Sequence, residues 1–311
     1  MKLATGFLAL AATLLPAYEF AHAGIVDVKR SVEASMVVTG TIEVNPDGSV
    51  HGYSLDQQDK VPADVAKLIG ETVPNWRFRP ILVDGNAVLA KAGMSLRIVA
   101  EQESLGQFVA TVDSVAFGSK ASTGSGTCAP GVCVSYRERE ELPQYPVRLV
   151  QSGVTGTAYI SIKIDSQGRV AQAGVRQVNL RAVADPSVLE SWRRRMGQAA
   201  LDAVRTWTFN VPTVGDDAGK PYWAAIVPVD FHIKGREPSG RVEYGQWDSY
   251  VPGPVTVMPW VKPNAEGGAT DGVSSAIPAG DELFVQDERF VLLTPLAKDS
   301  NVPAAPSHSG G

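Results

Sequence analysis

Gly156-Thr-Ala-Tyr-Ile-Ser-Ile-Lys-Ile-Asp165 alternates apolar and polar residues, which puts Ala158, Ile160, Ile162 and Ile164 on one face of a half-buried strand. Ser166-Gln167-Gly168 supplies turn chemistry, and Arg169 to Val178 reads as the returning strand, with Gly168 at the position that needs positive φ. Further on, Asp185 suits an N-cap and Pro186 the first helical position, where a missing N–H costs nothing. Leu189, Trp192, Met196, Ala199 or Ala200, and Ala203 then recur at steps of three and four, one apolar helical face. The helix closes on Trp207-Thr-Phe209, before Pro212. After a polar loop, Trp223 to Ile233 alternates again, with Ala225, Val227, Val229 and Phe231 on one face. Leu142-Pro143-Gln144-Tyr145-Pro146 introduces the unit, and Pro146 can start a short helix over Val147, Leu149 and Val150. Residues 142–234 are thus an α+β unit of two strands, a helix and a last strand.

Pro143, Tyr145, Pro146, Gly156, Asp165, Gly168, Trp207, Phe209, Pro212 and Phe231, taken together, resemble the C-terminal domain of the TonB family. The resemblance covers about a third of the chain. It implies a small periplasmic α+β domain, an antiparallel three-stranded sheet packed with helices, that binds other proteins by adding their strands to its sheet. It implies no catalysis and a link to outer-membrane transport. It also implies that the segment of Tyr145 and Pro146 helps contact a partner; helix capping is the alternative role.

A fainter version of the pattern runs from 36 to 100. Val38, Gly40, Ile42 and Val44 alternate, Asn45-Pro46-Asp47-Gly48 turns, and Ser49 to Ser54 can return. Pro62 opens a helix with Val65, Leu68, Ile69 and Thr72, which closes on Trp76-Arg77-Phe78 and Pro80; Leu89 to Val99 gives a final strand. Matching Gly48 to Gly168, Trp76 to Trp207 and Phe78 to Phe209 makes 36–100 a diverged second copy. The glycine-to-tryptophan interval is shorter, 28 residues from Gly48 to Trp76 against 39 from Gly168 to Trp207, and no Pro-x-Tyr-Pro opens it. An unrelated α+β unit is the alternative. In both places the Trp and Phe read as core at a helix end rather than as a ligand-stacking pair.

Between the units, 101–141 reads as a linker hairpin: Gln107 to Phe117 alternates like a strand, and Gly118 to Thr127 is a flexible loop. Cys128-Ala-Pro-Gly-Val-Cys133 follows. In an exported protein, two cysteines around a Pro-Gly turn most simply form a local disulfide, Cys128 to Cys133, which stabilises by roughly 2 kcal/mol. A redox pair is the alternative, but the spacing is not Cys-x-x-Cys.

Met1 to Ala23 has signal-peptide grammar: Lys2, an apolar core from Leu3 to Leu15, and Ala21-His22-Ala23 as a cleavage site. A mature periplasmic chain would begin near Gly24. The alternative is an uncleaved inner-membrane anchor, but the apolar run of about 15 residues is short of the ~20 that span a bilayer. Residues 235–311 change character. Pro, Gly, Ser and Ala dominate, so most of this tail is expected extended or disordered. Two apolar islands, Tyr250 to Val261 and Leu283 to Leu293, are expected to pack partly on the chain's own domains.

With 311 residues and net charge −5, the chain has room for about two domains and lacks the basic face of a nucleic-acid binder. No enzyme is expected: His51, His232 and His308 are scattered, and no Ser-His-Asp set, His-Glu-x-x-His or phosphate loop is present. Neither a cofactor, a metal nor a small-molecule substrate is implied. Arg193, Arg194 and Arg195 point about 100° apart on a helix and make no single anion site. The expected activity is protein binding by strand addition at an exposed edge, Trp223 to Ile233, with Tyr145, Pro146, Ala225, Val227, Val229 and Phe231 as partner-binding residues. Gly168, Trp207, Phe209, Trp76 and Phe78 are the structural residues. The alternatives are a membrane-anchored energy transducer to outer-membrane receptors and a self-associating structural envelope protein, which would form a homodimer.

Overall fold

The computed structural model describes residues 32–104, 107–121, 131–215, 217–233, 235, 242–261, 276, 283–296 and 302–303; for 101–104, 107, 120–121 and 302–303 it describes the backbone only. The signal-peptide reading of Met1 to Ala23 and Cys128 lie outside these residues.

In chain order the elements are β1 (Glu33–Val44), β2 (Val50–Leu55), α1 (Ala63–Thr72), β3 (Leu82–Val83), β4 (Asn86–Ala87), β5 (Ala90–Ser104), β6 (Gln107–Ala121) and β7 (Ser135–Glu138). Then come α2 (Val147–Gln151), β8 (Gly156–Asp165), β9 (Val170–Leu180), α3 (Pro186–Val204), β10 (Thr208–Asn210), β11 (Tyr222–Phe231), β12 (Asp248–Tyr250), β13 (Leu283–Gln286) and β14 (Val302–Pro303). The chain is α+β and mostly antiparallel.

The hairpin at the centre of the sequence forms as β8 and β9. Ala158, Ile160, Ile162 and Ile164 are buried, and α3 lies over both strands with Leu189, Met196, Ala200 and Ala203 turned inward. Pro186 is at its first turn and Asp185 at its N-cap, where the Asp185 carbonyl, not its side chain, receives the Val188 and Leu189 amides. Trp207 and Phe209 close this core together with Trp223, Val227 and Phe231. In the first half, Val38, Ile42, Leu68, Ile69, Trp76 and Phe78 form a second core around α1, β1 and β5.

The turns at Gly48 and Gly168 are built alike. Asn45 and Asp165 each exchange backbone hydrogen bonds across the turn, and Gly48 and Gly168 have φ of 82° and 80°. The Gly48 carbonyl accepts from the Phe78 amide at 2.8 Å, and the Gly168 carbonyl from the Phe209 amide at 2.7 Å. A Cβ on Gly168 would lie 1.9 Å from the Phe209 carbonyl oxygen, so the turn closes on the Trp-x-Phe strand only with glycine. Gly168→Ala is expected to lower the unfolding free energy by about 2–3 kcal/mol, from left-handed strain plus the disturbed hydrogen bond. Gly215→Ala, also at positive φ but in open space, is expected to cost only ~1 kcal/mol. Equal urea midpoints for the two variants would contradict this account.

The two halves do not form separate three-stranded sheets, and here the sequence expectation is corrected. One ten-stranded sheet runs β12-β1-β5-β6-β13-β11-β8-β9, with β2 on β1 and β14 on β6. Residues 101–141, expected to be a linker, contain β6, which pairs with β5 over most of its length and with β13 on its other side. A small cluster of Ala116, Tyr159, Ile226, Ala276 and Phe284 packs across this seam.

Of the tail, the two apolar islands pack on the chain's own sheet as expected, and much of the remainder lies outside the described residues. β13 is inserted between β6 and β11. Beyond it, Leu292 bridges Phe78, and Phe290 sits edge-on to Phe78 with ring centroids 6.2 Å apart. In the second half the same place beside Phe209 is filled by β7, whose Tyr136 pairs with Phe209. The other island, around Tyr250, joins the ends of the sheet. β12 pairs with β1, and the next residue, Val251, exchanges two backbone hydrogen bonds with Leu180 at the end of β9 (2.8 and 3.1 Å). The sheet is thereby closed on itself.

Two buried arginines fix this closure. Arg97 donates to the Tyr250 hydroxyl at 3.0 Å and pairs with Glu33 and Asp113. Arg181 holds Asp248 through Nε and Nη2 (2.9 and 2.8 Å) and Asp230 through Nη1 (3.0 Å). Burial alone would lower the pKa of either guanidinium, but the groups around each outweigh it and raise it, so both stay charged.

Candidate functional site

Trp207 ends the α3 connection and its indole N–H donates to the Glu141 carbonyl at 2.6 Å, which pins the chain just before Leu142. Tyr136 of β7 stands edge-on to Trp207 at 5.7 Å, and the Arg139 guanidinium lies over both rings, 5.2 Å from Tyr136 and 5.7 Å from Trp207. Past Pro143, the Tyr145 ring meets Phe231 edge-on at 5.2 Å, and its hydroxyl donates to the Val154 carbonyl at 2.6 Å. Burial, with help from the Asp230 charge, pushes the Tyr145 hydroxyl up to about 12, so it remains a neutral donor. Pro146 then caps α2, where Leu149 alone is buried.

These residues and the end of β11 enclose a groove of about 250 Å³, lined by Tyr136, Arg139, Leu142, Tyr145, Trp207 and the run Pro228 to His232. A more open depression of about 460 Å³ lies along Val170 to Ala173 with Arg205 and Trp260, without the aromatic cluster.

Of the six residues expected to bind a partner, the groove brings together Tyr145, Val229 and Phe231; Pro146, Ala225 and Val227 do not line it. Ala225, Val227, Val229 and Phe231 are all buried in the core that β8 and β11 share, and of the four only Val229 and Phe231 also border the groove. The expected free edge is corrected as well. β11 pairs with β8 from Tyr222 to Phe231, and on its other side β13 occupies Ala225 and Ile226. Among the described residues, 222–224 and 227–231 of β11 lack a strand partner on that side, and 227–231 is the stretch at the groove. Pro228 in this run removes one donor.

The sequence reading missed Tyr136, Arg139, Asp230 and His232 as groove residues. Asp230 could have been found, since it lies between inward-facing Val229 and Phe231 and therefore belongs to the opposite face. Its Oδ1 accepts from Thr157 Oγ1 at 2.8 Å and from Arg181 at 3.0 Å. Its Oδ2 is buried without a hydrogen-bond donor, and His232 Nδ1 stands 3.8 Å from it.

Among the described residues no helix is long and apolar enough to cross a membrane. No protein-family model matches the chain, and no solved structure matches it. Two proteins named Protein TonB, from Xanthomonas campestris pv. campestris strains B100 and ATCC 33913, are each 30% identical to it over 91 residues. Those residues are 29% of this chain and 34% of each relative, so the chain spans about a third of the length of the relatives it matches. A stretch of this protein is therefore similar to part of a TonB protein, which agrees with a TonB-like C-terminal domain.

Proposed function

We propose that the protein is a non-catalytic binding module of the TonB C-terminal type, facing the bacterial periplasm and linked to outer-membrane transport. It holds two copies of that unit, the first diverged, and their like-built Gly48 and Gly168 turns support this reading. The partner is a protein, and an extended segment of it lies along the groove beside Leu142 to Tyr145.

The observation that carries this reading is the meeting of the Pro143-Tyr145 opening with the end of the last strand in one aromatic-walled groove. Among the described residues no strand lies on 227–231 in line with β13, and an added strand there would continue that row. Pre-formed aromatic walls reduce the ordering cost of binding.

A photo-crosslinking residue at Leu142, which is 67% exposed, tests the reading in intact envelopes. The expected result is a crosslink to a discrete envelope protein from Leu142 and none from Leu82, exposed on the β3–β4 hairpin. Equal labelling from both positions, or none from Leu142, would rule out the groove as the partner site.

A further inference from the structure

The wall of the groove carries an unbalanced negative charge. Arg181, with 9% of its side chain exposed, serves two carboxylates, Asp230 at 6% and Asp248 at 20%. One guanidinium against two carboxylates leaves an excess of one negative charge. The bonding is unequal too: Asp248 receives Nε and Nη2, whereas Asp230 receives Nη1 and Thr157 on Oδ1 alone. Oδ2 of Asp230 accepts nothing, although a buried carboxylate oxygen without a donor is costly.

What surrounds that oxygen indicates what would satisfy it. Asp230 is part of the groove lining, next to Tyr145, Phe231 and His232. The His232 ring is 55% exposed and its Nδ1, at 3.8 Å, is beyond hydrogen-bond reach, so it screens Oδ2 without occupying it. The Arg139 guanidinium of the lining is over Tyr136 and Trp207. Aromatic faces beside an unanswered carboxylate favour an incoming cation over an anion or an apolar group.

We propose that the groove receives a lysine or arginine side chain of an extended partner segment, whose ammonium or guanidinium donates to Asp230 Oδ2. This rests on the groove being the partner site. The main chain of the segment follows 227–231, and the cation sets its register.

Short peptides with a central arginine, lysine, norleucine or glutamate flanked by valine and threonine, and free arginine amide, are the probes. Each is titrated into the full chain while the Trp207 indole and Asp230 amide resonances are followed. Arginine and lysine peptides are expected to bind at least about tenfold more tightly than the norleucine peptide, the effect of a charge-assisted hydrogen bond. Asp230→Asn should remove the preference. Because that change also touches Arg181, His232→Lys is the second variant: on an exposed position it puts a tethered cation beside Asp230 and should abolish the preference with the fold intact. Peptides that bind in the groove without preferring a cation overturn the inference and leave the groove reading standing. Free arginine amide binding as tightly as the peptides makes the site one for a small cation and overturns it as well. No response to any peptide overturns both.

Discussion

Phe290→Ala is expected to lower the unfolding free energy by about 3–5 kcal/mol, the cost of truncating a fully buried aromatic side chain. Phe290 lies in the apolar island Leu283 to Leu293 of the Pro- and Gly-rich tail, and none of its surface is exposed. Its ring meets Phe78 at 6.2 Å and Phe117 at 6.3 Å, within the same cluster as Trp76. Leu292 beside it bridges Phe78, and the Arg79 amide donates to the Val291 carbonyl at 3.0 Å. The C-terminal segment thus completes the first core as β7 completes the second. Urea unfolding of the full chain measures the loss. A cost below ~1 kcal/mol would mean that this segment only rests on the first half.

Arg181→Ala is expected to have a similar effect, about 3–5 kcal/mol, because it leaves the buried Asp230 and the partly buried Asp248 carboxylates without their cation. Asp230 and Asp248 come from β11 and β12, so the loss should also loosen the junction of Val251 with Leu180. Arg181→Lys keeps the charge but cannot reproduce three bonds from a planar fork, and should fall between the two. Amide hydrogen exchange at Val251 and Leu180 separates a local opening from general destabilisation. If both amides stay as protected in Arg181→Ala as in the parent, the arginine does not hold the closure.

The second half was legible because its signals agree with each other. The alternation of Ala158 to Ile164, the turn at Gly168 and the face of α3 all specify one local structure, and each is decided by residues close in sequence. The first half shows the same devices more weakly, since α1 has 10 residues against 19 in α3. What could not be read were the non-local pairings. β12 is three residues, Asp248 to Tyr250, amid prolines and glycines, and its place depends on Arg97 and Arg181 far away in sequence. Strand β11 was expected to be an exposed edge, and nothing local announces that β13 would lie against Ala225 and Ile226. The groove was half legible for the same reason. Tyr145 and Phe231 belong to recognisable motifs, whereas the orphan oxygen of Asp230 exists only once Thr157 and Arg181 have taken the other one.

The closure of the sheet also has a meaning in time. The hydroxyl contact of Ser35 with Tyr250 spans 215 positions, more than two thirds of the 311-residue chain. A chain that has folded both central hairpins and helices α1 and α3 but not yet docked residues 248–251 and 283–292 leaves β1, β9 and β11 with unsatisfied main-chain groups. Native contacts this distant are made late and slowly. The hazardous interval for aggregation is therefore the one before residues 248–251 and 283–292 dock, and it is ended by two short islands in an otherwise Pro-, Gly- and Ser-rich stretch.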